Sequence, residues 1–280
     1  MDILLSVTWN VDPTLFTVLG REIRWYGLFW VIGLIVAVYI VQRIFKKEDL
    51  PEKWFDSLFV YMIVGIIAGA RLGHCLFYEP EYYLANPFEM IKVWEGGLAS
   101  HGGVIGILIA VWMYSRKVSK QSMLWTLDRL AVPVALVAAF IRLGNLMNHE
   151  IYGHPTDLPW GFKFILNVRE WQHGADPIYS LPSHPTQIYE ALCYLITFAV
   201  VSLLYWKNKT AKQKEGLIIG VFFIGIFLSR FLIEFVKEDQ EAFEATMTLN
   251  MGQWLSIPFI LAGILLLIRA IKRPLVVYKN

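Results

Sequence analysis

Charge and cysteine are both scarce in this chain. Only 17% of its 280 residues are charged, against about a quarter in an ordinary soluble domain. With 56% hydrophobic and 15% aromatic residues and a mean hydropathy of +0.50, this is a membrane composition. A net charge of +2 gives no reason to expect nucleic acid as a partner. The only two cysteines, Cys75 and Cys193, fall inside apolar runs, so neither a disulfide framework nor a cysteine metal site is expected. HExxH and GxSG patterns are absent too. The opening MDILLSVTWNVDP lacks the basic stretch of a cleavable signal peptide, so the first spanning segment is expected to direct insertion.

What is present is a series of long apolar runs. Seven approach the roughly 20 residues that a membrane-crossing helix needs, at about 25–45, 55–77, 98–115, 125–147, 186–206, 216–236 and 253–270. The expected fold is all-α, a single transmembrane domain over residues 1–280. Connections on one side (KKEDLPEK, RKVSK, WKNKTAKQKE and the tail IKRPLVVYK), with Arg43 and Arg269 at helix ends, hold 15 of the 25 Lys and Arg. The excess of positive charge marks that side as cytoplasmic and puts the N-terminus outside and the C-terminus inside. The larger external loops, 78–97 and 148–183, are rich in Pro, Gly, Trp and Tyr, and the second is long enough to form a cap.

Each of the three outward-running segments, the second, fourth and sixth, carries an arginine near its outer end: Arg71, Arg142 and Arg230. Each lies about fifteen to seventeen residues into its segment, or ~22–26 Å at the helical rise. An unpaired charge at that depth costs several kcal/mol, so intramembrane arginines point to function. A guanidinium fork suits phosphate. The outer ends of the inward-running segments bring Arg24 and Tyr26, Ser100 and His101, and His184, Thr186 and Gln187 to the same layer. Arg129, near the cytoplasmic end of its segment, is expected to snorkel to that interface. RLGHCLFYE at 71–79 and RLGNLMNHE at 142–150 echo one another, each with a Glu eight residues after the Arg.

The densest cluster runs Arg142-Leu-Gly-Asn145-Leu-Met-Asn148-His-Glu150-Ile-Tyr-Gly153. On a helix Arg142, Asn145 and Asn148 share one face. Helix-to-helix hydrogen bonding would explain a single Asn, but an Arg, two Asn and a Glu within nine residues favour a site. In Ser100-His101-Gly102-Gly103 the glycines allow close approach of a backbone or a ligand. His101 there could act as a general base or could orient an arginine or glutamate, and the residues alone favour neither. HPTQIYE at 184–190 reads as structural, with Glu190 available to pair with an arginine. Arg230 and Glu234, four apart, form a natural ion pair, and Arg71 has Glu79 or Glu150 as potential partners.

Together these motifs resemble the prolipoprotein diacylglyceryl transferases, a family of bacterial membrane enzymes. The family block Gly-Arg-x-Gly-Asn-x-x-Asn-x-Glu-x-x-Gly is matched by IRLGNLMNHEIYG at 141–153, except that Ile141 replaces the usual opening glycine. IRWYG at 23–27, SHGGVIG at 100–106, HPTQIYE at 184–190, SRFLIEF at 229–235 and MGQWLS at 251–256 follow in order along nearly the whole chain. The resemblance implies transfer of the diacylglyceryl group of phosphatidylglycerol to the lipobox cysteine thiol of preprolipoproteins. A thioether forms and glycerol phosphate is released at the outer leaflet of the cytoplasmic membrane, the first step of lipoprotein maturation. It implies no metal, no nucleotide and no other cofactor, and nothing in the sequence requires more than a monomer. By carry-over Tyr26, His101, Arg142, Asn145, Glu150, Gly153, Arg230 and Glu234 match residues that matter in the family. The expected catalytic set is His101, Arg142 and Arg230, with Tyr26, Asn145, Asn148, Glu150, Gly153, Glu234, Arg71, Gly102 and Gly103 binding substrate.

Other classes fit less well. A lipid transporter would need polar groups continuing through the cytoplasmic half, and here they cluster at one depth. A retinal receptor would need a lysine that QWLSIPFILAGILLLIRA does not offer. In a serine protease, adjacent Ser100 and His101 would have no supporting motif.

Overall fold

A computed structural model describes residues 6–239, 244 and 246–275. The chain is mostly helical. Six described helices are long and apolar enough to cross a membrane: α1 (Trp25–Lys47), α2 (Glu52–Phe77), α4 (Met123–Met147), α5 (Thr186–Lys207), α6 (Leu217–Ile233, extended by a 3-10 turn to Val236) and α7 (Met251–Lys272). The segment expected at 98–115 is a shorter helix, α3 (Ser100–Tyr114), followed by a π-helical turn, Ser115–Ser119. Gly96 and Gly97 adopt φ of 90° and 69° ahead of it, and Lys120 at φ 56° closes the turn beyond it.

The expected all-α chain also contains four short strands: β1 (Ser6–Thr8), β2 (Thr14–Val18), β3 (Arg21–Arg24) and β4 (Gly161–Lys163). β2 and β3 pair antiparallel around Leu19 and Gly20, whose φ of 49° and 76° suit the tight turns that match strand twist. β1 pairs parallel with β4. A helical period search passes over such three- to five-residue pieces.

The helices fall into two compact units. The first contains the described residues up to Ile40 and from Leu130 onward; the second is Val41–Arg129. In the second, α2 and α3 touch backbone to backbone. A Cβ at Gly73 would come within 2.6 Å of the Gly102 Cα, and one at Gly106 would overlap the Gly65 carbonyl oxygen. Lipid offers no hydrophobic drive between helices, so dispersion at close range must hold them, and only small residues allow that approach. Beside this seam lies an apolar groove of about 400 Å³ lined by residues such as Val64, Leu72 and Ile109.

Arg129 does not snorkel. It is only 4% exposed, its Nε donates to Glu48 at 2.9 Å, its Nη2 donates to the same carboxylate, and its Nη1 donates to the Trp125 carbonyl at 2.8 Å. Its guanidinium lies 3.6 Å from the Trp125 ring centre. A pairing carboxylate one helix away removes the need to reach water.

In the first unit, α6 packs against both α5 and α7. Gly225 admits Thr197, Gly220 faces Gly263, and Phe227 stacks on Phe259 at 4.2 Å. Loop 148–183 is folded, with Tyr152 stacked on Phe164 at 4.8 Å and bridges joining Phe162 to Ser183 and Ile165 to Tyr179.

Candidate active site

The last turns of α4 present Arg142 and Asn145 on one face, and the chain then reverses sharply. His149 and Ile151 both take positive φ, 57° and 61°, uncommon for residues other than glycine. The reversal is held by His149, whose Nε2 donates to the Val11 carbonyl at 2.9 Å while Nδ1 accepts the Ile165 N–H at 3.1 Å. Glu150 is thereby turned back toward the helix, where its Oε1 accepts from Asn145 at 2.8 Å and Asn148 at 3.2 Å.

Burial lowers the His149 pKa from its ordinary 6.5, more than the Val11 hydrogen bond and Asp12 raise it. The folded state therefore holds fewer protons here than the unfolded one, so His149 contributes stability fully above pH 6.5 and loses it as pH falls through the lowered folded value. The thermal midpoint of purified protein should drop below pH 6.5, and His149→Gln should be less stable near pH 8 with a shallower acid slope. An unchanged slope would mean that other groups set it.

α5 enters beside this turn and ties it down. Gln187 Nε2 donates to the Glu150 carbonyl at 2.7 Å, and Thr186 Oγ1 to that of Ile151 at 2.8 Å. Trp160 donates to the Tyr189 hydroxyl at 2.9 Å, and that oxygen lies 3.3 Å from His184 Nδ1. The structural reading of HPTQIYE agrees with this arrangement.

One turn further on, fully buried Glu190 holds Arg142, with 3.0 Å between Nε and Oε2. Arg142 Nη1 also donates to Asn145 at 3.3 Å, and the guanidinium lies 6.0 Å from the Tyr194 ring centre. A second arm comes from α6. Glu234 stands 3.4 Å from Arg230 Nε, accepts from Asn250 at 3.0 Å, and ion-pairs with Lys237 at 3.0 Å. Asn250 is oriented by its capping box with Gln253 at the start of α7. Gly252 is required because a Cβ there would run into the Glu234 carboxylate. Lys237 also lies 3.9 Å from Glu190. So Arg142, Glu190, Lys237, Glu234 and Arg230 form one continuous network.

Asn148 Oδ1, Gln187 Oε1, Glu190 Oε2 and Arg230 Nε are buried without an aligned hydrogen bond among the described residues. Buried polar atoms are rarely left so; the three oxygens can accept hydrogen bonds from hydroxyl or N–H donors, and Arg230 Nε can donate one. Arg230 keeps 31% of its side chain exposed, which leaves part of its guanidinium available.

Several sequence-designated residues are in the same unit. Tyr26 packs across Gly144, where a Cβ would come within 2.7 Å of the ring. Gly153 is pressed by the Val236 carbonyl, by His184 Cβ and by Thr186 Cγ2, and it bridges to Lys237 through the backbone.

Arg71, His101, Gly102 and Gly103 belong to the second unit. Arg71 pairs with neither expected glutamate. Its guanidinium donates to the carbonyls of Glu89 (2.7 Å), Met90 (3.0 Å), Gly96 (2.5 Å) and Gly97 (3.3 Å), strapping loop 78–97. Backbone carbonyls satisfy all three of its nitrogens, an option that residue spacing does not reveal. His101 is exposed, with its ring edge-on to Phe77 and stacked on Tyr78 at 5.8 Å. Gly102 lies in the α2–α3 seam, while Gly103 has 3.7 Å of room.

Lys237, Tyr194 and Asn250 escaped the sequence reading. Lys237 follows Glu234 by three residues, the spacing that puts two side chains on one helical face, and that signal was available. Among the described residues no group of His, Cys, Asp and Glu could hold a metal ion.

Six apolar helices long enough to cross a membrane and a buried arginine–carboxylate network define a polytopic helical membrane protein. The chain is a member of the prolipoprotein diacylglyceryl transferase family, whose profile matches residues 13–269. It is 58% identical over 274 residues to a Porphyromonas gingivalis protein named phosphatidylglycerol--prolipoprotein diacylglyceryl transferase, covering 96% of each chain. Relatives of the same name from Chloroherpeton thalassium and Tolumonas auensis are 45% and 44% identical, over 98% and 94% of this chain and 97% of each relative.

Proposed function

We propose that this protein transfers the diacylglyceryl group of phosphatidylglycerol to the lipobox cysteine thiol of preprolipoproteins. The observation that carries the reading is the pair of arginines, Arg142 and Arg230, each braced by a buried carboxylate in one continuous network. In the reaction the substrate sulfur attacks the glyceryl carbon and the carbon–oxygen bond to phosphate breaks. The phosphodiester leaves as glycerol phosphate, a monoester with one more negative charge. Fixed cations aimed at that growing charge in a water-poor site stabilise the transition state more than the ground state. The thiol proton goes to a base, for which His101 is the candidate. Asn145, Asn148 and Glu150 orient Arg142 and the glycerol hydroxyls, and Tyr26 donates to phosphate. No cofactor is required by this chemistry.

The single domain over residues 1–280 crosses the bacterial cytoplasmic membrane seven times. α3 with its π-helical extension, Ser100–Ser119, is the additional span. The N-terminus faces out and the C-terminus the cytoplasm. The loops form an external cap, and the site faces the outer leaflet. One copy suffices.

The test is direct. Purified protein in liposomes containing phosphatidylglycerol is given a signal peptide ending in Leu-Ala-Gly-Cys. Released glycerol phosphate should match the peptide's diacylglyceryl mass gain, and both should vanish when the lipobox Cys becomes Ser. Lipid movement across the bilayer without product would replace the transferase by a transporter.

A further inference from the structure

We infer that Lys237 is a positioning residue that couples the two arginine arms of the site, an inference that rests on the reading just given. Lys237 is 1% exposed, an unusual state for a lysine. Its Nζ is 3.0 Å from Glu234 Oε1 and 3.9 Å from Glu190 Oε1, so the two carboxylates lie within about 7 Å of each other with this ammonium as their shared counter-ion. Each carboxylate in turn holds one arginine, Glu190 at Arg142 Nε and Glu234 at Arg230 Nε. The order of charge through the cluster is therefore plus, minus, plus, minus, plus, with Lys237 in the centre.

The placement is built in by the backbone. The 3-10 turn Glu234–Val236 extends α6 and delivers Lys237 beneath its own Glu234. Lys237 bridges to Gly153, His154 N–H donates to the Val236 carbonyl at 2.9 Å, and Glu238 N–H to that of Tyr152 at 3.2 Å. The glycine that closes the 141–153 block thus fixes the lysine that joins the two arms. A Cβ at Gly153 would strike the Val236 carbonyl and shift Lys237 with it.

Without the central ammonium, two buried carboxylates would face each other across a low-dielectric gap. Either one takes up a proton or the side chains move apart. Both responses release an arginine from its bracing carboxylate, so that guanidinium is no longer held in the fixed orientation that a fork-to-phosphate contact demands. Lys237 need not touch the lipid for this to hold, and its influence passes through Glu190 and Glu234.

The test compares Lys237→Gln, Lys237→Arg, Glu190→Gln and the Lys237→Gln/Glu190→Gln double variant, full length, in phosphatidylglycerol nanodiscs. Lys237→Gln should lower kcat at least about tenfold with a smaller change in KM, because the cost falls where charge develops. Lys237→Arg should keep kcat within a few-fold. The loss caused by Lys237→Gln should be much smaller when Glu190 is already Gln, since one of the two unbalanced carboxylates is gone. The same coupling should appear in thermal midpoints. That readout needs no turnover, so it still tests Lys237 if the wild type makes no product and the transferase reading fails. If Lys237→Gln alone does not fold, recovery of a folded double variant supports the inference. Wild-type kcat in Lys237→Gln, or equal losses in both backgrounds, would overturn it.

Discussion

Arg142→Ala should lower kcat/KM by about 10²–10³-fold, the usual cost of deleting one fixed charge-stabilising donor, or about 2.7–4 kcal/mol. The loss should fall mainly in kcat, because the phosphate gains its extra charge only as the carbon–oxygen bond breaks. A further penalty comes from the neighbour left behind. Glu190 is fully buried and would lose the cation 3.0 Å from its Oε2, keeping Lys237 at 3.9 Å and the Tyr194 hydroxyl at 3.4 Å from its Oε1. Arg142→Lys is informative because it restores charge without the fork. Lysine also shortens the reach to Asn145, which Arg142 Nη1 now contacts at 3.3 Å. It should recover part of the lost activity and well short of all of it. Arg230→Ala should behave similarly in kcat. Exposed Lys117 on the wide turn after α3 serves as the control, and Lys117→Ala should turn over normally. The measurement is steady-state glycerol phosphate release with phosphatidylglycerol varied at fixed peptide. Near-normal turnover in either arginine variant would remove phosphate stabilisation as their role.

The helices were legible because apolar length is written directly in the sequence. Six of the seven expected segments recur as helices long enough to span. The seventh is α-helical only over Ser100–Tyr114 and continues as a π-helical turn to Ser119, a change in backbone hydrogen bonding that hydropathy cannot display. The Arg142 cluster was legible for a similar reason. Its residues are neighbours in sequence, and helical spacing alone places Arg142 beside Asn145. Partners from other helices were harder to see. That Glu190 pairs with an arginine followed from its position in an apolar run, but which arginine it takes is decided by tertiary packing.

The two arginines that resemble each other most in sequence, Arg71 and Arg142, illustrate the limit. Both precede Leu-Gly and both have a glutamate eight residues on. One takes a buried carboxylate, while the other takes the carbonyls of a loop. A guanidinium accepts either solution, and loop conformation decides between them. Arg129 repeats the lesson, since snorkelling was expected only because Glu48, 81 residues earlier in the chain, could not be seen as its neighbour.

Gly102→Ala should destabilise the protein, while the adjacent Gly103→Ala should not. In sequence the two glycines are equivalent, and both could serve close approach of a ligand. In the fold a Cβ on Gly102 would overlap the Gly69 carbonyl oxygen and come within 2.7 Å of the Gly73 Cα, whereas one on Gly103 meets the Ala70 Cβ at 3.7 Å and the Ile66 carbonyl oxygen at 3.9 Å, ordinary contact distances. The atoms in the way at Gly102 are backbone on a packed helix, so relief requires α2 and α3 to move apart. Separation would also stretch the Ala99 N–H to Ala70 carbonyl hydrogen bond of 2.9 Å and loosen the contacts at Gly106. Overpacking of this sort costs typically about 1–3 kcal/mol and occasionally more, and a seam held by dispersion at contact distance has little to offset it. Gly103→Ala should instead be neutral or stabilising by up to about 1 kcal/mol, because alanine orders a helix more readily than glycine. Thermal unfolding in detergent should therefore fall for Gly102→Ala and hold or rise for Gly103→Ala, with activity following stability in both. If Gly102→Ala melts like wild type and loses only phosphatidylglycerol transfer, the glycine serves the ligand and the helix seam is not its purpose.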